Sequence, residues 1–414
     1  MSVTIVIGKN FGDEGKGLAA DHFALRSRNA GKAAVCVRHN GGAQAGHTVD
    51  FPDRRFVFSQ LSSGSFRGAD TYWADSFLPD LYKLSEETER FRILAGAVPQ
   101  IYASPACRCT YIGDILLNML LETSRGKERH GSCGMGINEA VVRSEHFPLP
   151  LGEIAGAGAE ALYRNMRRIQ QEYLPVRLTA LNINLNAAGE YGALLQNDNV
   201  LRNAAEVMAR NAESVTLRET AFLREYDDIL FEGAQGLLLD ELYTKFAPHL
   251  TASRTGLTEP ARILRALYGD SSAQPETKIV YITRSYVTRH GAGPLPHENP
   301  EQPYPFGSSD RTNVQNEWQG TIRSAPHGSP EEFAEAVRAD LAESKLPADV
   351  SLFVTHLNES DGCIITTDGR IPVTDYCAGL NGLFGTLYCS ASPYAEDVRA
   401  FRLRRFRCSI SQKT

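Results

Sequence analysis

Ten residues near the N-terminus, Gly8-Lys9-Asn10-Phe11-Gly12-Asp13-Glu14-Gly15-Lys16-Gly17, constrain the fold more than any other stretch of the chain. They follow the run Thr4–Ile7 and precede a segment of helical character, Leu18–Leu25, after which Ala33–Val37 forms a second apolar run. Unbroken apolar runs of this length suit strands buried on both faces. Strand, glycine turn, helix and strand in that order predict an α/β protein with a mostly parallel central sheet. Glycines let a backbone approach a phosphate, and the amides and dipole of the following helix supply positive potential. Lys16 adds a full charge. The spacing departs from the usual G-x-x-x-x-G-K-[ST] loop, because Asn10 takes the first glycine position and Gly17 the hydroxyl position. An ordinary glycine turn is the alternative, but Asp13, Glu14 and Lys16 serve no packing purpose in one.

The same texture recurs. Ile229–Phe231, Ile279–Ile282 and Leu352–Val354 are short apolar runs followed at once by polar or glycine-rich sequence. Ligands of open parallel sheets gather beyond the carboxyl ends of the strands, so the chemistry is expected there. From about 114 to 224 apolar residues fall at helical spacing, as in Ala159–Tyr173 and Asn199–Asn211, predicting a mainly helical excursion from one large domain spanning 1–414. The segment Pro294–Asn316, with five prolines, is expected to be a surface connection or active-site loop.

Composition excludes several classes. Lys+Arg 43 against Asp+Glu 49 gives a net charge of −6, which leaves no electrostatic footprint for wrapping nucleic acid. No apolar run approaches the ~20 residues of a membrane span, and the first residues lack the basic region of a signal peptide. The eight cysteines include no C-x-x-C pair, so neither a disulfide scaffold nor a zinc site is expected. A reduced, cytoplasmic protein is the expectation.

Three further loops carry polar residues suited to chemistry. In His39-Asn40-Gly41-Gly42-Ala43-Gln44-Ala45-Gly46-His47-Thr48, His47 can donate a proton or stabilise developing negative charge. A lone loop histidine is, however, more often only a hydrogen-bonded residue. In Phe231-Glu232-Gly233-Ala234-Gln235-Gly236, Gln235 can read an amide-like base edge, and Thr288-Arg289-His290-Gly291-Ala292-Gly293-Pro294 is the last of the series.

Together and in this order, the four glycine-rich signatures resemble those of adenylosuccinate synthetases. That resemblance implies activation of the IMP 6-oxygen by the γ-phosphate of GTP, then displacement by aspartate, in a Mg²⁺-dependent homodimer. It implies Asp13 as the base at purine N1 and as a Mg²⁺ ligand, with the Gly46 carbonyl as the second protein ligand. It also implies His47 as the stabiliser of the 6-oxygen, and Lys16 with Gly12, Gly15 and Gly17 around the phosphates. Gln235 and Thr251 match positions that hold the IMP base and phosphate. Gln44 stands where the family usually carries Asn. Gly134, in Ser132-Cys133-Gly134-Met135-Gly136, matches a phosphate loop whose threonines and arginine are missing here, and Arg143 corresponds to an arginine that reaches the neighbouring subunit's IMP.

Two departures bear on specificity. The family's guanine-reading Lys-x-Asp follows a strand, whereas here Val354 runs into Thr355-His356-Leu357-Asn358. A carboxylate accepts from guanine N1–H and the 2-amino group together, but an Asn amide offers one acceptor oxygen. That difference costs about 1–3 kcal/mol of guanine preference and opens the choice between GTP and ATP. Asp361, by a shifted register, is the alternative reader. The aspartate loop, Asn316-Glu317-Trp318-Gln319-Gly320-Thr321-Ile322-Arg323-Ser324, keeps Thr321 and Arg323 but not the family's arginine run. Three readings follow: a synthetase proper, a specialised ligase joining another amine to a 6-oxopurine nucleotide, or a silent nucleotide-binding relative. Retention of Asp13, Lys16 and His47 together speaks against the third.

Overall fold

Ten strands share one sheet, built on the apolar runs named above. The computed structural model describes residues 1–414 except 127–128, 130, 186–188, 270–274, 302–311, 313–319, 381 and 404–414. In chain order the strands are β1 (Ser2–Gly8), β2 (Ala34–Arg38), β3 (His47–Asp50), β4 (Arg55–Phe58), β5 (Asp70–Trp73), β6 (Ile101–Ala103), β7 (Thr216–Leu217) and β8 (Asp228–Glu232). They continue with β9 (Glu276–Arg284), β10 (Val287–Arg289), β11 (Arg323–Ala325), β12 (Asp349–Thr355), β13 (Cys363–Thr366), β14 (Gly369–Pro372), β15 (Thr386–Cys389) and β16 (Arg399–Arg402). The central sheet runs β16-β15-β12-β9-β1-β8-β2-β5-β6-β7, parallel throughout except for the antiparallel edge pair β15–β16. The α/β class with a mostly parallel sheet is therefore as expected. The five apolar runs occupy five adjacent strands, β12-β9-β1-β8-β2, with Ile5 in register between Phe231 and Ile279.

Alternation along these strands explains why they are apolar on both sides. Val3, Ile5 and Ile7 pack on one face with Ile263, Leu264 and Leu267 of the helix Thr258–Tyr268 and with Phe333 and Val337 of Pro330–Ser344. Val6 faces the opposite way, against Leu18, Ala19 and Phe23 of α1 (Lys16–Asn29). A second core lies to one side. There Leu151, Ile154, Leu162 and Met166 of the helix Leu151–Arg168 meet Leu201, Ala205 and Met208 of Asp198–Ala212 and the aromatics of the β3–β4 ribbon. Between 112 and 212 the described residues are mostly helical, the helices Ile112–Arg125 and Ile137–Ser144 preceding this pair. No helix among the described residues is long and apolar enough to cross a membrane.

The topology decides where a ligand can sit. The chain leaves β1 toward β2 on one side, while β9 leads to β12 on the other, so the crevice beyond the carboxyl ends opens near β1. The loops after β1, β2, β8, β9 and β12 all converge there. Of the proline-rich segment, residues 302–311 and 313–316 lie outside the described residues.

Candidate functional site

The turn after β1 is held by glycine where no other residue fits. Gly12 has φ +107°, and a β-carbon on it would lie 2.9 Å from Cα of Gln235. At Gly17 a β-carbon would meet the Thr48 carbonyl oxygen at 2.5 Å. Gly15 precedes α1 without any side-chain cap, so the first amides of the helix are left for an anion. Lys16 Nζ donates to the Gly12 carbonyl and closes the loop. Burial lowers the Lys16 pKa, opposed by the nearby charges of Glu14, Asp13 and Glu232. Two elements far along the chain brace the turn: Arg284 at the end of β9 donates to the Asp13 carbonyl, and Thr355 Oγ1 at the end of β12 donates to the Glu14 carbonyl at 2.9 Å.

Glu14 is buried, accepts the Asn10 amide through Oε1, and leaves Oε2 without a partner among the described residues. Burial pushes its pKa up to about 7, with Lys16 acting against that rise. A carboxyl raised above its unfolded value of 4.5 stabilises the fold fully only below that value, and the contribution is lost as pH rises through 7. Glu14→Gln is therefore expected to raise the unfolding free energy at pH 8 by roughly 3 kcal/mol. The gain should vanish by about pH 4–5, as denaturant titrations at the two pH values would show. Equal gains at both would contradict the buried-charge account.

His47 opens β3 and is buried, with Nδ1 2.7 Å from Oε1 of Glu232 at the end of β8. Glu232 also accepts the Ser63 amide at 3.0 Å and the Ser63 hydroxyl. Burial pushes His47 down to about 4 despite Glu232, so the ring is neutral near pH 7. For Glu232, burial is the largest influence and acts upward, but His47, Arg38 and Ser63 together hold it at about 2. The carboxylate thus fixes the tautomer with the proton on Nδ1 and leaves Nε2 for a ligand. Glu232 lies inside a glycine-rich motif, but its role is not legible in sequence, because its partner lies 185 residues away. A buried acid following directly on the apolar run Ile229–Phe231 is the one available signal. Glu232→Gln is expected to lower kcat about 10–100-fold with a smaller change in KM. Steady-state kinetics showing kcat unchanged would remove Glu232 from the site.

Two cavities flank these groups. One, of about 410 Å³, holds Gly15, Gly17 and Asn358 together with Arg284, Thr355, His356 and Glu359. The other, of about 530 Å³, holds Gln44, Gln235 and Thr251 together with Phe11, Cys133 and Arg289. Both are lined by Gly12, Asp13, Lys16, Gly46, His47 and Thr312, where they meet. The Gln44 amide has neither oxygen nor nitrogen bonded among the described residues although both atoms are buried. Arg289, not singled out from sequence, stacks on Phe11 at 4.5 Å and donates to the carbonyls of Pro294 and His249. Burial and then Arg323 push its pKa down to about 10.

The remaining expected residues are not brought to the cavities. Gly134 lies just outside the lining, although Ser132 and Cys133 belong to it. Thr321 is exposed, following Gly320, whose carbonyl meets Nε2 of the lining residue His290 at 3.1 Å, and Arg323 donates to the carbonyls of Gly291 and Gly293 beside Glu298. Asp361 is exposed and paired with Arg370 at 2.6 Å. Arg143 is engaged within its own chain. It is fully buried, pairs with Asp114 through Nε and Nη2 at 2.9 Å each, and donates to the Phe147 and Cys109 carbonyls. A guanidinium so completely occupied ties two helices of its own chain together.

At the junction the donor set fits Mg²⁺. No group of three or more His, Cys, Asp or Glu suited to a metal occurs among the described residues. Mg²⁺ is commonly held by one or two carboxylates with substrate phosphates and water completing the octahedron. A single carboxylate, Asp13, lining the same junction as Gly46 and within a phosphate-type loop, has that character.

Comparison with known proteins follows the same lines. The profile of the adenylosuccinate synthetase family matches residues 5–322. The adenylosuccinate synthetase of Pseudomonas aeruginosa is 30% identical over 323 residues, covering 71% of this chain and 64% of the relative. That of Aspergillus niger is 29% identical over 314 residues, covering 72% and 65%. The chain thus spans slightly less than two thirds of the length of these curated relatives. Among solved structures, the fully ligated adenylosuccinate synthetase of Plasmodium falciparum superposes with a TM-score of 0.66 at 16% identity, covering 96% of this chain and 99% of that one. The succinoaminodeoxyadenylate synthetase of cyanophage S-2L, bound to dGMP and to dATP as energy donor, gives 0.58 at 16%, covering 96% and 95%. Both share the fold.

Proposed function

The chain belongs to the adenylosuccinate synthetase family, and from that premise we propose that it is a C–N ligase acting on a 6-oxopurine nucleotide. It phosphorylates the 6-oxygen of IMP with a nucleoside triphosphate, and the amine of aspartate then displaces the phosphate to give adenylosuccinate. One observation carries the reading: two cavities, one on the phosphate loop and one beside the unpartnered Gln44 amide, meet at Asp13, Lys16, Gly46 and His47. A group passed between two bound nucleotides needs such a junction.

An oxygen attached to the purine ring is a poor leaving group, which is why phosphorylation must come first. Asp13 takes the N1 proton, so that negative charge builds on the 6-oxygen as it attacks the terminal phosphorus. Bound phosphate charge beside His47 favours its imidazolium form, in which Glu232 accepts from Nδ1–H and Nε2–H donates to that oxygen, and Lys16 with the helix amides neutralises the phosphoryl oxygens. Asp13 and the Gly46 carbonyl would hold Mg²⁺, which when bound draws charge from the triphosphate. The protein would work as a homodimer, to be checked by sedimentation.

The test mixes protein, IMP, aspartate and Mg²⁺ with GTP or ATP in parallel and follows adenylosuccinate by absorbance. Product with either triphosphate is expected, and folded protein silent with both would sink the reading. A second acceptor belongs in the same assay, since the cyanophage neighbour was solved with dGMP. Turnover with dGMP alone would favour the specialised-ligase reading.

A further inference from the structure

We infer that Arg38 is a positioning residue of the transfer step: its guanidinium, buried behind the site, holds Glu232 as the carboxylate that grips His47. The inference rests on the ligase reading, in which His47 meets the 6-oxygen.

Arg38 closes β2 and is fully buried. In the parallel ladder of β2 and β8 it stands in register with Glu232, so the two side chains leave neighbouring strands on one face of the sheet. Its own hydrogen bonding does not account for a charge placed so deep. Nη1 donates to the Leu61 carbonyl at 3.0 Å, and the Phe77 ring lies 5.2 Å from Cζ. Nε and Nη2 are buried and make no hydrogen bond to the described residues. A guanidinium stays charged in proteins, and a buried charge is costly unless an opposite charge lies near it.

Glu232 is the opposite charge that needs it. The carboxylate accepts from His47 Nδ1 and from the Ser63 amide and hydroxyl, all neutral groups while no phosphate is bound. Lys16, a second cation acting on Glu232, is committed to closing the phosphate loop. Glu87, a second carboxylate within the field of Arg38, is already held by the amides of Ser59, Gln60 and Leu61. Arg38 is thus left to keep Glu232 ionised. An ionised Glu232 only accepts, and so orders the ring with its proton on Nδ1; a protonated one would present a hydroxyl and release that order.

The test separates the charge from the brace on Leu61. Arg38→Gln keeps a donor for the Leu61 carbonyl and removes the charge, whereas Arg38→Lys keeps the charge. Arg38→Gln is expected to lower kcat about 10–100-fold with a smaller change in either nucleotide's KM, and Arg38→Lys to stay within about fivefold of wild type. In a Glu232→Gln background, Arg38→Gln should cost less than about threefold further, because no carboxylate remains to be held. That double variant leaves neither charge buried alone, so it carries the test should Arg38→Gln not fold. A kcat within about threefold of wild type in Arg38→Gln, an equal loss in both backgrounds, or a loss that Arg38→Lys does not restore overturns the inference. Nitrogen NMR of histidine-labelled protein reads the same point without turnover: wild type should show the Nδ1–H tautomer of His47, and Arg38→Gln a mixture. An unchanged tautomer also overturns the inference. A changed tautomer in protein that makes no adenylosuccinate would sink the ligase reading alone, and full turnover by Arg38→Gln would sink the role of Arg38 alone.

Discussion

Replacing Asp13 by Asn is expected to lower kcat by about 10³-fold or more while leaving thermal unfolding nearly unchanged. A positioned general base contributes about 10²–10⁴-fold, and this carboxylate is also assigned to the metal, so its loss falls on both roles. Asn is isosteric, and the Asp13 carbonyl keeps its bonds from Arg284 and Thr288. The measurement is kcat and KM for each substrate beside a melting curve. Turnover within tenfold of wild type would remove Asp13 from the chemistry. Loss of activity together with a collapsed melting curve would point to the loop's structure instead.

The second large effect concerns stability. Arg143→Ala is expected to cost about 3–5 kcal/mol, since it strands the buried carboxylate of Asp114 without its counter-charge. The double change Asp114→Leu with Arg143→Met should recover most of that loss, because an apolar pair of similar volume avoids the desolvation penalty. Nucleotide affinity, read by titration at low temperature where the variant stays folded, should change little. A variant of normal stability that had lost nucleotide affinity would restore the role implied by resemblance. A resemblance in sequence does not say which partner the arginine finds within its own chain. Asp114, 29 residues earlier, comes within reach only when the helices Ile112–Arg125 and Ile137–Ser144 pack together.

The strands of the central sheet and their order differ in how far they are legible. Thr4–Ile7, Ala33–Val37 and the three later apolar runs announced five strands of one buried parallel sheet, since only a strand covered on both faces tolerates such composition. Their order β12-β9-β1-β8-β2 was not legible. Parallel pairing joins Ile5 to Phe231 and Ile279, and no local period encodes partners more than two hundred residues away.

At the site the division is similar. The sequence alone determined the phosphate-type loop, because positive φ at Gly12 and close approach at Gly17 admit no side chain, and those demands are written residue by residue. It also determined the loop carrying His47 and the motif holding Gln235. Tertiary structure alone decided that Glu232 grips His47, that Arg284 and Thr355 brace the loop from β9 and β12, and that two cavities meet at Asp13. It likewise took Arg143 into an internal ion pair and left Asp361 on the surface. Backbone conformation is a local property of the chain. Charge partners and cavities are made by strands and helices that meet only after long-range pairing, and they exist only in the folded protein.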